Sequence, residues 1–357
     1  MGSPSTERFS DPSLRGRQES RCAVVILNWN RGPALIRCLE SVIATTPEWV
    51  RVIVVDNASA DGSPDAAAQI PRVEVWKNET NLGFAAAYNR AILRCSEAYV
   101  ALLNPDTLLD RPGWVESLIA VAERDSAIAV VGCTLLFADD PNRINSAGGM
   151  VYWWTGPVDV GFGEPVTPAS RAGHEPFAAS GGAMLIRRDR FLEMGGFDEG
   201  TFLYIEDVDL CWRLRLRRLK IGFAPDVFVR HSFSTSLGAL SVGKVYYSHR
   251  NYLRAMLRNY SMSTLIWALP AYGVWSVVKL VGALFVERSP SLAAGVVRAL
   301  GWNALMLRDT LRTRRAIQAG RVVDDRTIRR EMGPRGFESR ASLRSRWAIA
   351  HARMTKR

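Results

Sequence analysis

The chain has 357 residues, 48% hydrophobic and 23% charged, which excludes a chain disordered throughout and allows one large core with an extension. Its five cysteines, odd in number and without a CxxC pair, exclude a disulfide framework and a zinc site and read as reduced core residues. The formal net charge of +11 comes mainly from arginines beyond about Arg298; without zinc-finger spacing, an RNP-type strand or a basic zipper it indicates an anionic membrane surface and no nucleic acid.

The first twenty residues are polar and lack the apolar centre of a signal peptide, so 1–20 predicts a flexible leader before a cytoplasmic catalytic part over 21–235. From there short apolar runs alternate with amphipathic ones. Residues 22–30 (CAVVILNWN), 50–57, 73–78 and 98–106 predict strands. Residues 34–45, 83–95 and 112–124 predict helices, the last with Pro112 in its first turn. This alternation predicts an α/β fold with a mostly parallel sheet and helices on both faces, whose ligands bind beyond the carboxyl ends of the strands. Three such ends carry polar residues: Asn28-Trp29-Asn30, the run DNASADGS from Asp56 to Ser63, and Asn104-Pro105-Asp106. No GxGxxG and no GxxxxGK[ST] occurs, so neither a dinucleotide fold nor a P-loop is indicated. DNASADGS is also rich in turn formers, and Asp56 can equally start an Asx-turn.

Residues 144–177, rich in Gly and Pro, predict an irregular insertion able to order over a substrate. Its adjacent Trp153 and Trp154 are either sugar-stacking surfaces or interior packing. Ser180-Gly181-Gly182 leads into a strand at AMLIRR, and small residues there let an acceptor approach the sheet. An apolar, strand-like run at 201–205 then meets Glu206-Asp207 at the start of an arginine-rich helix, and the next strand closes on His231. A carboxylate on such a junction can face a cleft from a rigid backbone, as a general base must; acids also favour a first helical turn for its dipole. After a small, polar stretch comes an aromatic helix (245–260), then a run without charge from Ser261 to Val278, interrupted by Pro270 and Gly273 and followed by Lys279. That run is marginal for a span and predicts an in-plane or re-entrant membrane segment within a helical region 236–320, a buried hairpin or homo-oligomer interface being the alternative. Residues 321–357 predict a basic, disordered tail.

VVILNWNR, VVDNASADGS, NETNLGFAAAYNRAI, LLNPDT, SGGAMLIRRDRFLEMGGFDEGTFLYIEDVDLCWRLR and VFVRH, in this order over 22–260, resemble the family 2 inverting glycosyltransferases of the GT-A fold, within them the rhamnosyltransferase-like branch. The resemblance implies that Asn28, Asn30 and Asp56 cradle the nucleobase and ribose of a nucleotide-sugar, and that Asn81 and Gly83 approach the nucleotide at a helix start. It implies that Asn104-Pro105-Asp106 stands for the metal-binding DXD motif, with an amide in place of the first acid. Asp106 and His231 would then hold Mn²⁺ or Mg²⁺. Asp207 is implied as the base that activates the acceptor, Glu206 as its orienting partner, and Gly181 and Gly182 as lying beside the acceptor. The donor implied is dTDP-rhamnose, with a UDP-hexose or UDP-N-acetylhexosamine second. The acceptor implied is a glycan or polyprenyl-linked sugar at the cytoplasmic face of the inner membrane. A sugar-nucleotide pyrophosphorylase would need a glycine-rich basic loop where NWNRGPALIR stands. A catalytically silent carbohydrate-binding scaffold would not need Glu206, Asp207, Asp106 and His231 together.

Overall fold

The structure, a computed structural model, describes residues 20–167, 175–232 and 241–333. Strands β1 (Cys22–Asn28), β2 (Arg51–Asp56), β3 (Val73–Lys77) and β4 (Tyr99–Leu103) are connected through helices α1 (Gly32–Thr45), α2 (Ser63–Ala67) and α3 (Gly83–Arg94), and run parallel in the order β3-β2-β1-β4. Every residue of β4 is buried, as a strand covered on both faces requires. The chain continues through β5 (Thr107–Leu108), α4 (Trp114–Glu123), β6 (Ile128–Phe137), β7 (Asp140–Ser146), a hairpin of β8 (Gly149–Tyr152) and β9 (Gly156–Asp159), β10 (Ala183–Arg187), α5 (Arg188–Glu193), α6 (Glu206–Leu216) and β11 (Lys220–His231). These extend the sheet as β4-β10-β6-β11-β5, with β10 antiparallel to both neighbours and β6 parallel to β11. The mostly parallel sheet expected from the sequence is the sheet found. Because β10 runs against its neighbours, its amino end lies at the rim where the parallel strands finish, with Ala183 opposite Leu103. Gly181-Gly182 therefore arrive beside Asn104.

Five helices follow: α7 (Val242–Asn259), α8 (Met262–Val281) with a π-turn at Gly282–Val286, α9 (Pro290–Leu305), α10 (Leu307–Ala319) and α11 (Asp325–Glu331). Side chains alternate along each strand, so the sheet separates two apolar layers. One, under α3, α6 and α7, holds Tyr88, Trp212, Tyr252 and Tyr260 and takes in Leu265, Ala268 and Tyr272 of α8. The other, under α1 and α4, holds Leu35, Leu39, Trp114 and Leu118. Cys95 and Cys211 lie in the first layer, Cys22, Cys38 and Cys133 in the second, all as free thiols. Burial pushes the thiol of Cys95 up to about 11 and those of Cys38, Cys133 and Cys211 to about 12.

Helix α8 is inverted relative to the surface helix of a soluble domain. It buries Tyr272 and Ser276 toward α7 and Thr264 toward Asp325 of α11, and exposes Ile266 (75%), Val274 (61%) and Val278 (51%), continued by Phe285 (74%) beyond its end. Among the described residues, Met262–Val286 is the one helical segment long and apolar enough to cross a membrane.

Four local expectations are corrected. Residues 201–205 form no strand: a 3₁₀ turn at Glu199–Thr201 is followed by Phe202, Tyr204 and Ile205 with φ of 61°, 67° and 71°. The Phe202 carbonyl accepts from the Phe84 N–H at 2.6 Å, so the segment folds over the start of α3 and offers no ladder. Pro112 stands ahead of α4, which begins after Gly113 at φ 86°. The insertion 144–177 is largely regular up to its residues outside the described range, since β7 pairs with β6 and β8 with β9. The tail is helical where described: α11 buries Ile328, Met332 is buried just beyond it, and the Gly333 N–H donates to the Val151 carbonyl at 2.8 Å. An apolar pair spaced i, i+4 does this inside a segment whose average composition is basic. The expected leader up to residue 19, and residues 168–174, 233–240 and 334–357, lie outside the described residues.

Candidate active site

The carboxyl ends of β1, β2, β4 and β11 and the amino end of β10 surround one cleft of about 690 Å³. On the β1/β2 side the polar residues mostly build the wall. Asn28 is fully buried and its amide donates to Asp56 (2.8 Å), Ser63 (2.7 Å) and Ser59 (3.1 Å). Asp56 accepts the Ser59 N–H at 3.0 Å, the Asx-type contact that folds DNASADGS. Asn30, at φ 51°, accepts from the Ala60 N–H at 2.8 Å and so pins the same loop. The structure sets Asn28 and Asp56 beneath the rim; Trp29, Arg31 and Asn57 reach the cleft wall beside them. The Asn57 amide donates to the Gly83 carbonyl (3.1 Å) and to Asn81 (3.2 Å), whose oxygen accepts the Gly83 N–H (2.9 Å). Gly83, at φ 76°, has no room for a side chain: a Cβ there would stand 2.5 Å from the Phe202 ring. Its smallness serves helix packing as well as access to the cleft.

At the centre, Asp106 and His231 come together with Nε2 and Oδ1 3.4 Å apart, and the Asn104 amide lies 3.3 Å from the same Nε2. The other ring nitrogen, Nδ1, is 2.9 Å from Asn145 Oδ1. Nδ1 donating to that oxygen turns Nε2 toward Asp106, the orientation that a supporting partner gives a metal-binding histidine. No group of three His, Cys, Asp or Glu side chains suited to a metal occurs among the described residues. The pair fits an open divalent site completed by oxygens of a bound diphosphate.

Across the cleft, Asp207 occupies the first turn of α6, and its oxygens accept the N–H groups of Gly181 (2.8 Å) and Val208 (2.7 Å). Burial raises its carboxyl above the ordinary range against the pull of those two N–H groups. Glu206 beside it is raised well above its ordinary value by burial and then by the charge of Asp207, and its Oε2 is buried without a hydrogen-bond partner. Gly181 and Gly182 both line the wall, and a Cβ on Gly181 would stand 3.3 Å from Asp207 Oδ2.

Trp153 and Trp154 are not part of this wall. Trp153 packs edge-on to Trp267 of α8 (4.7 Å between ring centres) and Trp154 to Trp275 (6.3 Å). Their neighbours Thr155 to Asp159 line the cleft instead. Tyr252 of α7 and Tyr260 just past its end donate to the carbonyls of Tyr152 (3.0 Å) and Trp153 (2.9 Å), which fixes this hairpin against the helices.

Sequence reasoning missed the residues that hold the turn before Glu206. Asn251 of α7 is fully buried, and its amide nitrogen lies 2.9, 2.8 and 2.8 Å from the carbonyls of Thr201, Leu203 and Tyr204. Arg250 donates to the carbonyls of Gly200 (2.9 Å) and Thr201 (2.6 Å). Arg254 and Arg258 pair with Asp198, and Asp209 is held by Arg213 (2.8 Å) and Asn259 (3.0 Å). Left-handed backbone at three non-glycine residues persists only under such support. The signal in sequence was an Asn-Arg-rich face within an aromatic helix, since buried polar groups need partners.

Residues 23–191 match the profile of glycosyl transferase family 2. The N-acetylglucosaminyl-diphospho-decaprenol L-rhamnosyltransferase of Mycobacterium tuberculosis is 32% identical over 242 residues, covering 60% of this chain and 77% of that protein. Among solved structures, S. aureus TarS 1-349 in complex with UDP-GlcNAc matches with a TM-score of 0.53 at 14% identity, over 79% of this chain and 80% of that one. GalNAc-T7 with UDP, GalNAc and Mn²⁺ matches with a TM-score of 0.55 at 19% identity, over 69% of this chain and 49% of that one. At these identities the structural likeness bears on the GT-A fold alone.

Proposed function

Because the chain belongs to glycosyl transferase family 2, we propose that it moves rhamnose from dTDP-rhamnose, with inversion, to a polyprenyl-linked diphospho-sugar at the cytoplasmic face of the membrane. The mycobacterial relative, named for a rhamnosyl transfer to such an acceptor, supports the choice of sugar and lipid. The observation that carries the chemistry is Asp207: a carboxylate on the cleft wall, raised by burial and aimed by two backbone N–H groups.

Asp207 takes the proton of an acceptor hydroxyl as that oxygen forms a bond to the anomeric carbon. The bond from that carbon to the diphosphate breaks on the opposite face, and its electron pair leaves with the diphosphate, so configuration inverts. Glu206, raised furthest, keeps its proton and leaves the role of base to Asp207. Asn57, Asn81 and the start of α3 favour the nucleotide side of the donor, and the exposed face of Trp29 offers a surface for the base. Mn²⁺ or Mg²⁺, held by Asp106 and His231, supplies when bound the positive charge that offsets what gathers on the leaving diphosphate. The outward apolar face of α8, with Arg315 near Met262 at its start and Arg329 of α11 over the Trp267 ring, supports residence in the plane of an anionic membrane surface.

The test is Asp207→Asn assayed with dTDP-rhamnose and a lipid-linked acceptor, beside a panel of UDP-sugars. Donor affinity by calorimetry should stay within a few-fold while turnover falls by about 10²–10⁴. Retention of more than about a tenth of turnover removes the base assignment. Full activity in excess EDTA removes the metal, and turnover with a UDP-sugar alone removes the donor.

A further inference from the structure

The cleft does not end at the catalytic rim. It continues past β9 to the inner faces of α7 and α8, where Asp159, Tyr247, Tyr252, Tyr272, Lys244 and Lys279 line it. Lys279 is the one charged residue between Met262 and Val286, and it lies on the cleft side of a helix whose other side is apolar and exposed. Its ammonium stands 5.6 Å from the centre of the Trp275 ring. Its charge also reaches His249, whose imidazole, buried first and repelled by Lys279 second, is lowered to about 3. The Ser276 hydroxyl donates to the Tyr272 carbonyl at 2.8 Å and so accepts from His249 Nε2 at 3.0 Å. With that histidine lowered, the cationic charge of this lobe comes from the two lysines, which share it with the carboxylate of Asp159.

The cleft presents a carboxylate at Asp207 and, where α7 and α8 line it, the ammonium groups of Lys244 and Lys279 with the Asp159 carboxylate, while the outer surface of α8 is uncharged. A lipid-linked diphospho-sugar has the complementary groups: hydroxyl, diphosphate, apolar chain. Resting on the acceptor reading above, we propose that the lobe between β9, α7 and α8 is the acceptor subsite, in which Lys279 with Lys244 receives the acceptor's diphosphate and the chain leaves over α8. A flexible lysine suits this role, since it meets a phosphate as a point charge and needs no planar partner. Asp106, just ahead of β5, and His231, at the end of β11, are left for the donor's diphosphate.

The experiment uses the full chain in detergent micelles, with a short-chain lipid-linked diphospho-sugar and an analogue whose diphosphate is replaced by a neutral linker. Lys279→Gln should raise KM for the diphosphate acceptor by about tenfold or more, one charge-assisted contact being worth about a factor of ten. It should leave donor affinity and donor hydrolysis within about twofold, on the order of the scatter expected for a residue outside the donor site. Lys279→Arg should recover most of the loss, and the neutral-linker analogue should not distinguish wild type from Lys279→Gln. An unchanged KM for the diphosphate acceptor overturns the subsite. A weakened donor with an unchanged acceptor assigns Lys279 to the nucleotide's diphosphate and overturns it also. Wild-type protein that transfers to no lipid-linked diphospho-sugar overturns the acceptor reading itself, a result separable from the two before.

Discussion

Glu206 and Asp207 keep their protons to higher pH in the folded protein than in the unfolded chain, because burial raises both. Their contribution to stability is therefore full below the unfolded values near 4.5 and 3.8 and is lost as pH rises through the folded ones. Glu206→Gln removes the titrating group and keeps the shape. Its melting temperature should match wild type at acid pH and exceed it by about 2 °C or more at alkaline pH. Calorimetry across that range checks this, and a uniform shift at every pH would show that packing alone had changed. At this scale the sequence marked Asp106, Asp207 and His231 by residue type at strand or helix ends, and the structure brings all three to one cleft. It could not separate Asn28 and Asp56, which fold the wall, from Asn57, which faces the cleft, because the three differ only in direction. Asn145 was hidden for another reason: its partnership with His231 spans 86 residues of sequence.

At the scale of elements, the turn 202–205 and helix α7 act as one piece. No apolar periodicity announces this, since what joins them is backbone carbonyls meeting side-chain donors. The same gap made 201–205 look like a strand. Asn251→Ala leaves carbonyls of the turn short of donors, so turnover should fall by about tenfold or more as the base is displaced, with donor affinity within a few-fold. Stability should drop by about 1–3 kcal/mol for the unmet groups. A KM and kcat split measured on folded, active-site-counted protein checks it; loss in proportion to unfolded protein would reduce Asn251 to a scaffold residue. Helix α8 has its own test. Removing everything past Tyr260 would also remove Arg314, which donates to the carbonyls of Leu257 and Tyr260 at 2.6 Å each. Substituting Ile266, Val274 and Val278 with Asp alters only the outer face. Flotation with anionic liposomes should be lost in that variant while its melting temperature stays within about 2 °C, as surface changes usually do. Retained flotation would place the lipid contact elsewhere.

For the whole molecule, the parallel half of the sheet was legible because strands covered on both faces are continuous apolar runs bounded by turn formers. The join to α7, α8 and α11 was not, since it depends on single large side chains: Tyr252, Tyr260 and Met332 carry the sheet's apolar layer into the helices. The region expected to be an appendage shares a core with the catalytic sheet. One consequence concerns the thiols. They are divided by the sheet, two on the side that bears α3, α6 and α7 and three on the side that bears α1 and α4, and each is shielded as an un-ionised group in the folded state. Alkylation of the native protein is then gated by opening of the layer around each sulfur. The chain carries a built-in two-channel clock, in which the order of labelling reads which side of the sheet loosens first, and whether lipid or nucleotide slows one side without slowing the other.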